Sequence, residues 1–287
     1  MGKLKRLHNA SDRNPTDRPI VQIDVASFAV RAAAFSETLE RDRNAKESSS
    51  GSALSFLDEL NTQTSLTLQI KCCHQFKARF RPTLMSRPLP PTAQQDLFAI
   101  LLLFLLPGYS PLRLSLDWVI DSVTGSLYSE CKEAIVSACL EALRQIEQRI
   151  VSGLIETVSL LKDTSMALVH MSSLDRECQW LDLHPQHFAF YIQILQRTLS
   201  TCIQRVLPSD ASASHIALLS EDGIICCESA ADCLKAFASI LKTRRQSTLT
   251  YLTFPPNKDI IESILQSSYT LLKSEHINRV RRLSIMI

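Results

Sequence analysis

Ten consecutive apolar residues, Leu97 through Leu106, lie between a start signal and a stop signal, and no other stretch narrows the available folds so far. Ahead of the run, Pro90 and Pro91 end whatever precedes, and Thr92 with Gln95 three positions on has the form of a Thr-x-x-Gln capping box. Behind it, Pro107-Gly108 closes the segment. A helix apolar on every face must be enclosed by other helices or by lipid. Ten residues rise only about 15 Å, about half the hydrocarbon core of a bilayer. The run therefore predicts the most buried helix of a protein core.

The rest of the composition agrees with a helical core. Six glycines in 287 residues leave little for dinucleotide loops, phosphate loops or turn-rich β architectures, all of which consume glycine. A net charge of +2 creates no global field toward nucleic acid or anionic lipid, so any such attraction has to be local. Nine cysteines, an odd number without regular spacing, read as reduced core residues of a cytoplasmic or nuclear protein. Lys3, Lys5 and Arg6 near the start are followed by no apolar stretch, so no signal peptide is expected.

Residues 1–18 are polar, carry one proline and lack periodicity, and are expected to form a disordered basic arm ahead of one helical-repeat-like domain, 19–287. Linkers are expected at 43–53 and 208–214. A first amphipathic helix is predicted from Pro19 to Arg43, and Leu54, Leu57 and Leu60 fit a second. From Leu66 to Phe80 the apolar residues alternate with polar ones at period two, as in a half-buried strand. Helix is preferred there because no partner strand is evident. Ser110-Pro111 predicts a cap and a packed helix up to Gly125. Ser129 to Leu161 reads as one long helix or a kinked pair about Gly153, with a loop near Asp175. Pro185 to Val206 is the clearest amphipathic pattern. Residues 216–227, with Asp222-Gly223 between apolar runs, read as a hairpin or a helix end; Ser229 then starts a helix, and Asn257 caps a last one.

Successive amphipathic helices joined by Pro- or Ser-marked turns predict an all-α protein of antiparallel helix pairs stacked as an irregular α-solenoid. The alternatives are a non-repetitive bundle, or an α+β domain should 66–80 and 216–227 both be strands. In texture the chain resembles HEAT and armadillo repeat proteins. The Leu- and Ser-containing helices within Asp96–Gly125 also resemble those of the thyroid-adenoma-associated family, a resemblance that implies helical partnership with a tRNA 2′-O-methyltransferase. The apolar ending Ser-Ile-Met-Ile fits a chain whose next helix is missing, or a surface that a partner covers.

The sharpest charge feature is Lys71, Lys77, Arg79, Arg81 and Arg87, with no acidic residue between Glu59 and Asp96 and with His74, Phe76 and Phe80 interleaved. A phosphate backbone would find cations and two aromatic planes there. If those aromatics are core, what remains is a solvated cationic face. Lys242, Arg244 and Arg245, with Arg279, Arg281 and Arg282, form a second basic group. His184-x-x-His187 with Cys178 has the residue types of a zinc site, but Pro185 splits the pair and a fourth ligand is lacking, so a helix start is the preferred reading. Cys72-Cys73 and Cys226-Cys227 lack the two-residue gap of a metal grip. No nucleophile elbow, Ser-x-x-Lys or phosphate loop occurs, and neither an enzyme nor a cofactor or metal is expected. Ser247 and Ser284 follow paired arginines in the manner of basophilic-kinase sites. These observations predict a non-catalytic scaffold or adaptor for protein partners, with no membrane contact. The alternative is an RNA-associated helical protein, or the adaptor of a tRNA-modifying enzyme, that uses the basic stretch 71–87.

Overall fold

The computed structural model describes residues 20–43, 52–84, 88–123, 128–152, 157–206, 220–243 and 255–273. Every regular element among them is helical, so the all-α expectation holds and neither proposed strand segment contains a strand among the described residues. In chain order the helices are α1 (Val25–Arg43), α2 (Ser52–Thr62), α3 (Leu66–Leu84), α4 (Pro91–Leu105), α5 (Ser110–Leu116), α6 (Trp118–Val123), α7 (Tyr128–Val151), α8 (Val158–Cys178), α9 (Pro185–Val206), α10 (Glu221–Thr243) and α11 (Pro255–Lys273). A single 3-10 turn, Trp180–Asp182, joins α8 to α9.

The continuous apolar run lies where its composition requires. Leu97 through Leu106 are each at most 3% exposed, and α4 packs against α1, α2, α5, α7 and α8. Five surrounding helices satisfy a cylinder that is apolar on all sides. From α8 onward the packing is more sequential: α10 lies against α8 and α9, and α11 against α9. The buried face of α10 carries the small residues Cys226, Ser229, Ala230, Cys233 and Ala236, followed by Phe237 and Ile240.

The boundaries depart from the sequence reading in several places. Thr92 does not cap α4. The helix starts at Pro91, the cap position is Pro90, and no side chain caps it. A proline there costs nothing because the first turn's N–H groups have no helical partner. Gln95 instead donates to the Ala32 carbonyl at 3.2 Å, tying α4 to α1. Ser110 is likewise the first residue of α5 and not its cap, which is Tyr109, and the predicted helix to Gly125 is broken at Asp117 into α5 and α6. Residues 20–24 belong to no regular element, so the first helix begins at Val25 and not near Pro19. Of the two readings of 129–161 the structure has separate helices, α7 and α8, but α8 runs past Leu161 to Cys178, and Gly153 lies outside the described residues. The expected loop near Asp175 is displaced to Gln179, which takes the left-handed conformation (φ 50°) and returns its N–H to the Asp175 carbonyl at 2.7 Å. Ser229 lies inside α10, its hydroxyl satisfied by the Ile225 carbonyl, and α11 starts two residues before Asn257. The basic arm 1–18, residues 44–51 of the first linker, the 208–214 linker and the apolar C-terminus lie outside the described residues.

Buried polar side chains hold the ends of these helices. Asp96, on α4, accepts the Ala53 N–H in the first turn of α2 at 2.9 Å. Arg113 reaches back to the Phe104 and Leu106 carbonyls at the C-terminus of α4, at 3.0 and 3.5 Å, where the helix dipole is negative. Arg149 donates to the Pro107 carbonyl at 2.6 Å, and Asp163 accepts the Gly108 N–H at 2.9 Å. Gly108 turns the chain with φ +98°, a conformation open to glycine without strain.

Candidate interaction surface

The segment that looked like a strand, 66–80, is the inner part of α3, and its helical geometry sorts the charged stretch into two faces. Leu66, Gln69, Cys73, Phe76, Phe80 and Leu84 recur at three- and four-residue steps and are all buried. Lys71, His74, Ala78 and Arg81 recur at the same steps on the opposite side, and all four are exposed. The aromatics interleaved in sequence are therefore separated from the cations in space. Phe76 stacks on Phe56 of α2 at 4.1 Å between ring centroids and on Phe80 at 5.2 Å, and Phe80 meets Trp118 edge-on at 6.5 Å. Neither ring is open to a nucleobase.

The two remaining described cations sit on the flanks. Arg79 pairs with Glu59 of α2 at 2.9 Å, with both side chains substantially exposed, and such a pair adds little to stability. Lys77 is half-buried, with its ammonium 5.9 Å from the centre of the Trp118 ring, a cation–π arrangement that holds it against α6. Between these flanks, His74, Lys77, Ala78, Arg81 and Pro82 line an open depression of about 410 Å³. Pro82 has no N–H to return to the Ala78 carbonyl, so the helix loses one bond at the rim of this depression. Arg87, the fifth residue of the sequence cluster, lies outside the described residues, as do Ser247, Ser284, Arg244, Arg245, Arg279, Arg281 and Arg282; Lys242 is exposed near the end of α10.

The metal-like motifs have other surroundings. His184 precedes the first turn of α9, exposed, its ring 5.0 Å from that of His187 at an interplanar angle of 81°. The Nδ1 atom of His187 lies 3.4 Å from the Trp180 carbonyl, and the Cys178 thiol is turned away to the Leu174 carbonyl at 2.7 Å. Among the described residues no group of three or more His, Cys, Asp or Glu side chains could hold a metal ion. All nine cysteines are free thiols; eight are buried and Cys227 is half-buried. Burial pushes Cys72 up to about 11 and Cys73 and Cys202 up to about 12, which makes them poor nucleophiles.

Two polar arrangements escaped the sequence reading. Asn61 at the end of α2 and Gln69 in α3 bind the segment 20–24 that leads into α1: Asn61 exchanges hydrogen bonds with the N–H and C=O of Ile23 at 2.9 and 2.6 Å, and Gln69 with those of Val21 at 3.0 and 2.7 Å. The one available signal was a glutamine standing in the apolar stripe of α3. The second is His170, half-buried in α8, with its ring edge-on to Phe104 at 4.7 Å. Burial, with Arg113 and Lys235 nearby, lowers its pKa to about 4.

No protein-family model, no curated protein and no solved structure matches this chain. Among the described residues no helix is long and apolar enough to cross a membrane.

Proposed function

We propose that this chain is a non-catalytic helical scaffold whose docking edge is the outer face of α3, and that this edge receives an acidic segment of a protein partner. One observation carries the reading: Lys71, His74 and Arg81 stand exposed along one ridge beside a shallow depression, while Phe76 and Phe80 are turned into the core. With Phe76 and Phe80 turned inward, this ridge keeps only the small His74 ring beside its cations, which suits carboxylates on a partner helix or loop better than a run of unstacked bases, whose binding draws on ring stacking. In this reading the helices stack as an irregular array of the HEAT or armadillo kind, and no bond is made or broken. The buried reduced thiols suit a cytoplasmic or nuclear setting.

The test is zero-length carbodiimide cross-linking of the full chain in cell extract, which joins lysine amines to carboxylates, with and without nuclease. It is run on the unaltered protein and on a Lys71→Glu/Arg81→Glu variant. The expected result is a protein cross-linked from Lys71 or Lys77 to an Asp- or Glu-rich segment, retained after nuclease and lost in the charge-reversed variant. Recovery of RNA, with proteins that disappear on nuclease treatment and a steep fall in binding with salt, would replace this reading with the RNA-associated one.

A further inference from the structure

Residues 20–24 are held by their main chain as well as by two buried side chains. The segment belongs to no regular element and alternates in burial: Val21 and Ile23 are buried, at 7% and 4% exposure, while Gln22 and Asp24 face solvent, and it ends in a tight turn in which the Val25 N–H donates to the Ile23 carbonyl at 2.9 Å. Its main-chain groups are bound by side chains of α2 and α3. The Asn61 amide takes both the N–H and the C=O of Ile23, and the Gln69 amide takes both groups of Val21 while its nitrogen also reaches the Leu60 carbonyl at 3.1 Å. A primary amide carries a donor and an acceptor side by side, as a peptide group does. Two such amides matched to residues i and i+2 therefore reproduce, from helices, the pairing that one strand offers another. Gln69 is wholly buried, which makes it a fixed element and not an opportunistic surface contact.

We propose that the groove between the end of α2 and the inner face of α3 is a peptide-binding site that reads main chain, occupied in cis by Ile20–Asp24. Its occupant in trans is an extended segment of a partner protein with apolar residues at alternate positions. The recognition follows the physics of strand addition: main-chain hydrogen bonds supply affinity, and two pockets at alternate side chains supply selectivity for an apolar–polar–apolar pattern. Nothing in the hydrogen bonding requires Val21 or Ile23 in particular, so any segment of that pattern competes for the same groups. The cis segment is tethered directly to α1, where Asp24 accepts the Ser27 N–H at 3.1 Å. It has a high local concentration and keeps the groove closed until it is displaced. This site is distinct from the cationic ridge, because Gln69 lies on the core side of α3 and Lys71 on the solvent side.

The probe is a fluorescein-labelled peptide copying residues 18–26, Arg-Pro-Ile-Val-Gln-Ile-Asp-Val-Ala, titrated into the full chain and followed by fluorescence anisotropy. Substitutions Val21→Asp and Ile23→Asp in the chain put charges where the buried side chains sit and release the cis segment. The released variant is expected to bind the peptide at least tenfold more tightly than the unaltered chain, reflecting loss of the intramolecular competitor. Binding is expected to vanish when Asn61→Ala and Gln69→Ala are added, and to be weak for a peptide in which Val and Gln, and Ile and Asp, are exchanged so that the alternation is reversed. Equal binding by the released and unaltered chains, or binding indifferent to Gln69, would overturn the proposal. Should the released variant lose its helical circular dichroism, hydrogen exchange of the unaltered chain decides. Amides of Val21 and Ile23 protected at least tenfold less than those of Leu57 and Cys73 show a segment that opens on its own; equal protection shows one that leaves only on global unfolding and sinks the idea.

Discussion

The side-chain amide of Gln69 accepts the Val21 N–H at 3.0 Å and donates to the Val21 carbonyl at 2.7 Å, across 48 residues of chain. The contact closes the N-terminal edge of the helical core. Val21 and Ile23 drop their side chains into the same buried cluster as Phe28, Phe56 and Leu60, and two amides satisfy the peptide groups that this burial would otherwise strand.

Replacing Gln69 with Leu keeps the volume and apolar contact of the site but removes every one of those bonds. The Val21 N–H and C=O and the Leu60 carbonyl lose their side-chain partner in a buried position. A loss of about 2–4 kcal/mol in unfolding free energy is expected, because each stranded buried group costs about 1–3 kcal/mol. Urea denaturation followed by circular dichroism measures it. A loss below about 0.5 kcal/mol would mean that water reaches these groups.

Stability is expected to fall as pH is lowered through the range set by His170. Its folded pKa of about 4 lies below the ordinary value of 6.5, with burial the main cause and Arg113 next. The unfolded chain therefore binds more protons between those values. The contribution of a neutral buried imidazole is fully present above about 6.5 and is lost as pH falls toward 4, by about 2 kcal/mol. Burial lowers His187 in the same direction. A His170→Phe variant, which keeps an aromatic ring against Phe104, is expected to flatten the profile measured by urea unfolding at pH 4.5, 5.5, 6.5 and 7.5. An unchanged slope would place the titration elsewhere.

Thiol chemistry gives a third check. Cys72, Cys73 and Cys202 are raised to about 11 or 12 by burial, so little thiolate forms near neutrality, and burial also blocks the reagent. In the native chain, iodoacetamide at pH 7.5 is expected to modify Cys227 first, the one half-buried thiol, and to leave the other eight largely untouched over minutes. Unfolding in guanidinium should expose all nine. Rapid native labelling of Cys73 or Cys139, read by peptide mass spectrometry, would contradict the packing of α3 or α7.

The legibility of this fold in its sequence varied with how far each signal reached. At Leu66–Phe80 two periods coincide: Cys72, Phe76 and Phe80 are four apart, a spacing shared by a strand's alternate positions and a helix's successive turns. The deciding residues were those where the periods disagree. Leu68 belongs to the strand pattern and is exposed at 40%, whereas Gln69 and Cys73 belong to the helical one and are buried. At 224–227, Asp222-Gly223 gave a turn signal, but Gly223 is taken into the first turn of α10, where its N–H bonds to the Ser220 hydroxyl at 3.0 Å. The cationic ridge was half legible: Lys71 and Arg81 were identified in the sequence, while the removal of Phe76 and Phe80 from the surface required knowing which face α2 and α6 would cover.

The sequence by itself determined that the chain is helical, that Leu97–Leu106 is its enclosed centre, and that Pro185 opens a long amphipathic helix. These follow from local periodicity, proline chemistry and the impossibility of exposing an all-apolar helix to water. Only the tertiary structure decided which helix ends are closed by distant side chains, as Asp96 closes α2 and Arg113 closes α4, and which cations stand free of aromatics. It alone showed that a glutamine in an apolar stripe reads the backbone of Val21. Such pairings join residues far apart in the chain. Their cost and gain depend on burial, and burial is a property of the packed molecule and not of any window of its sequence.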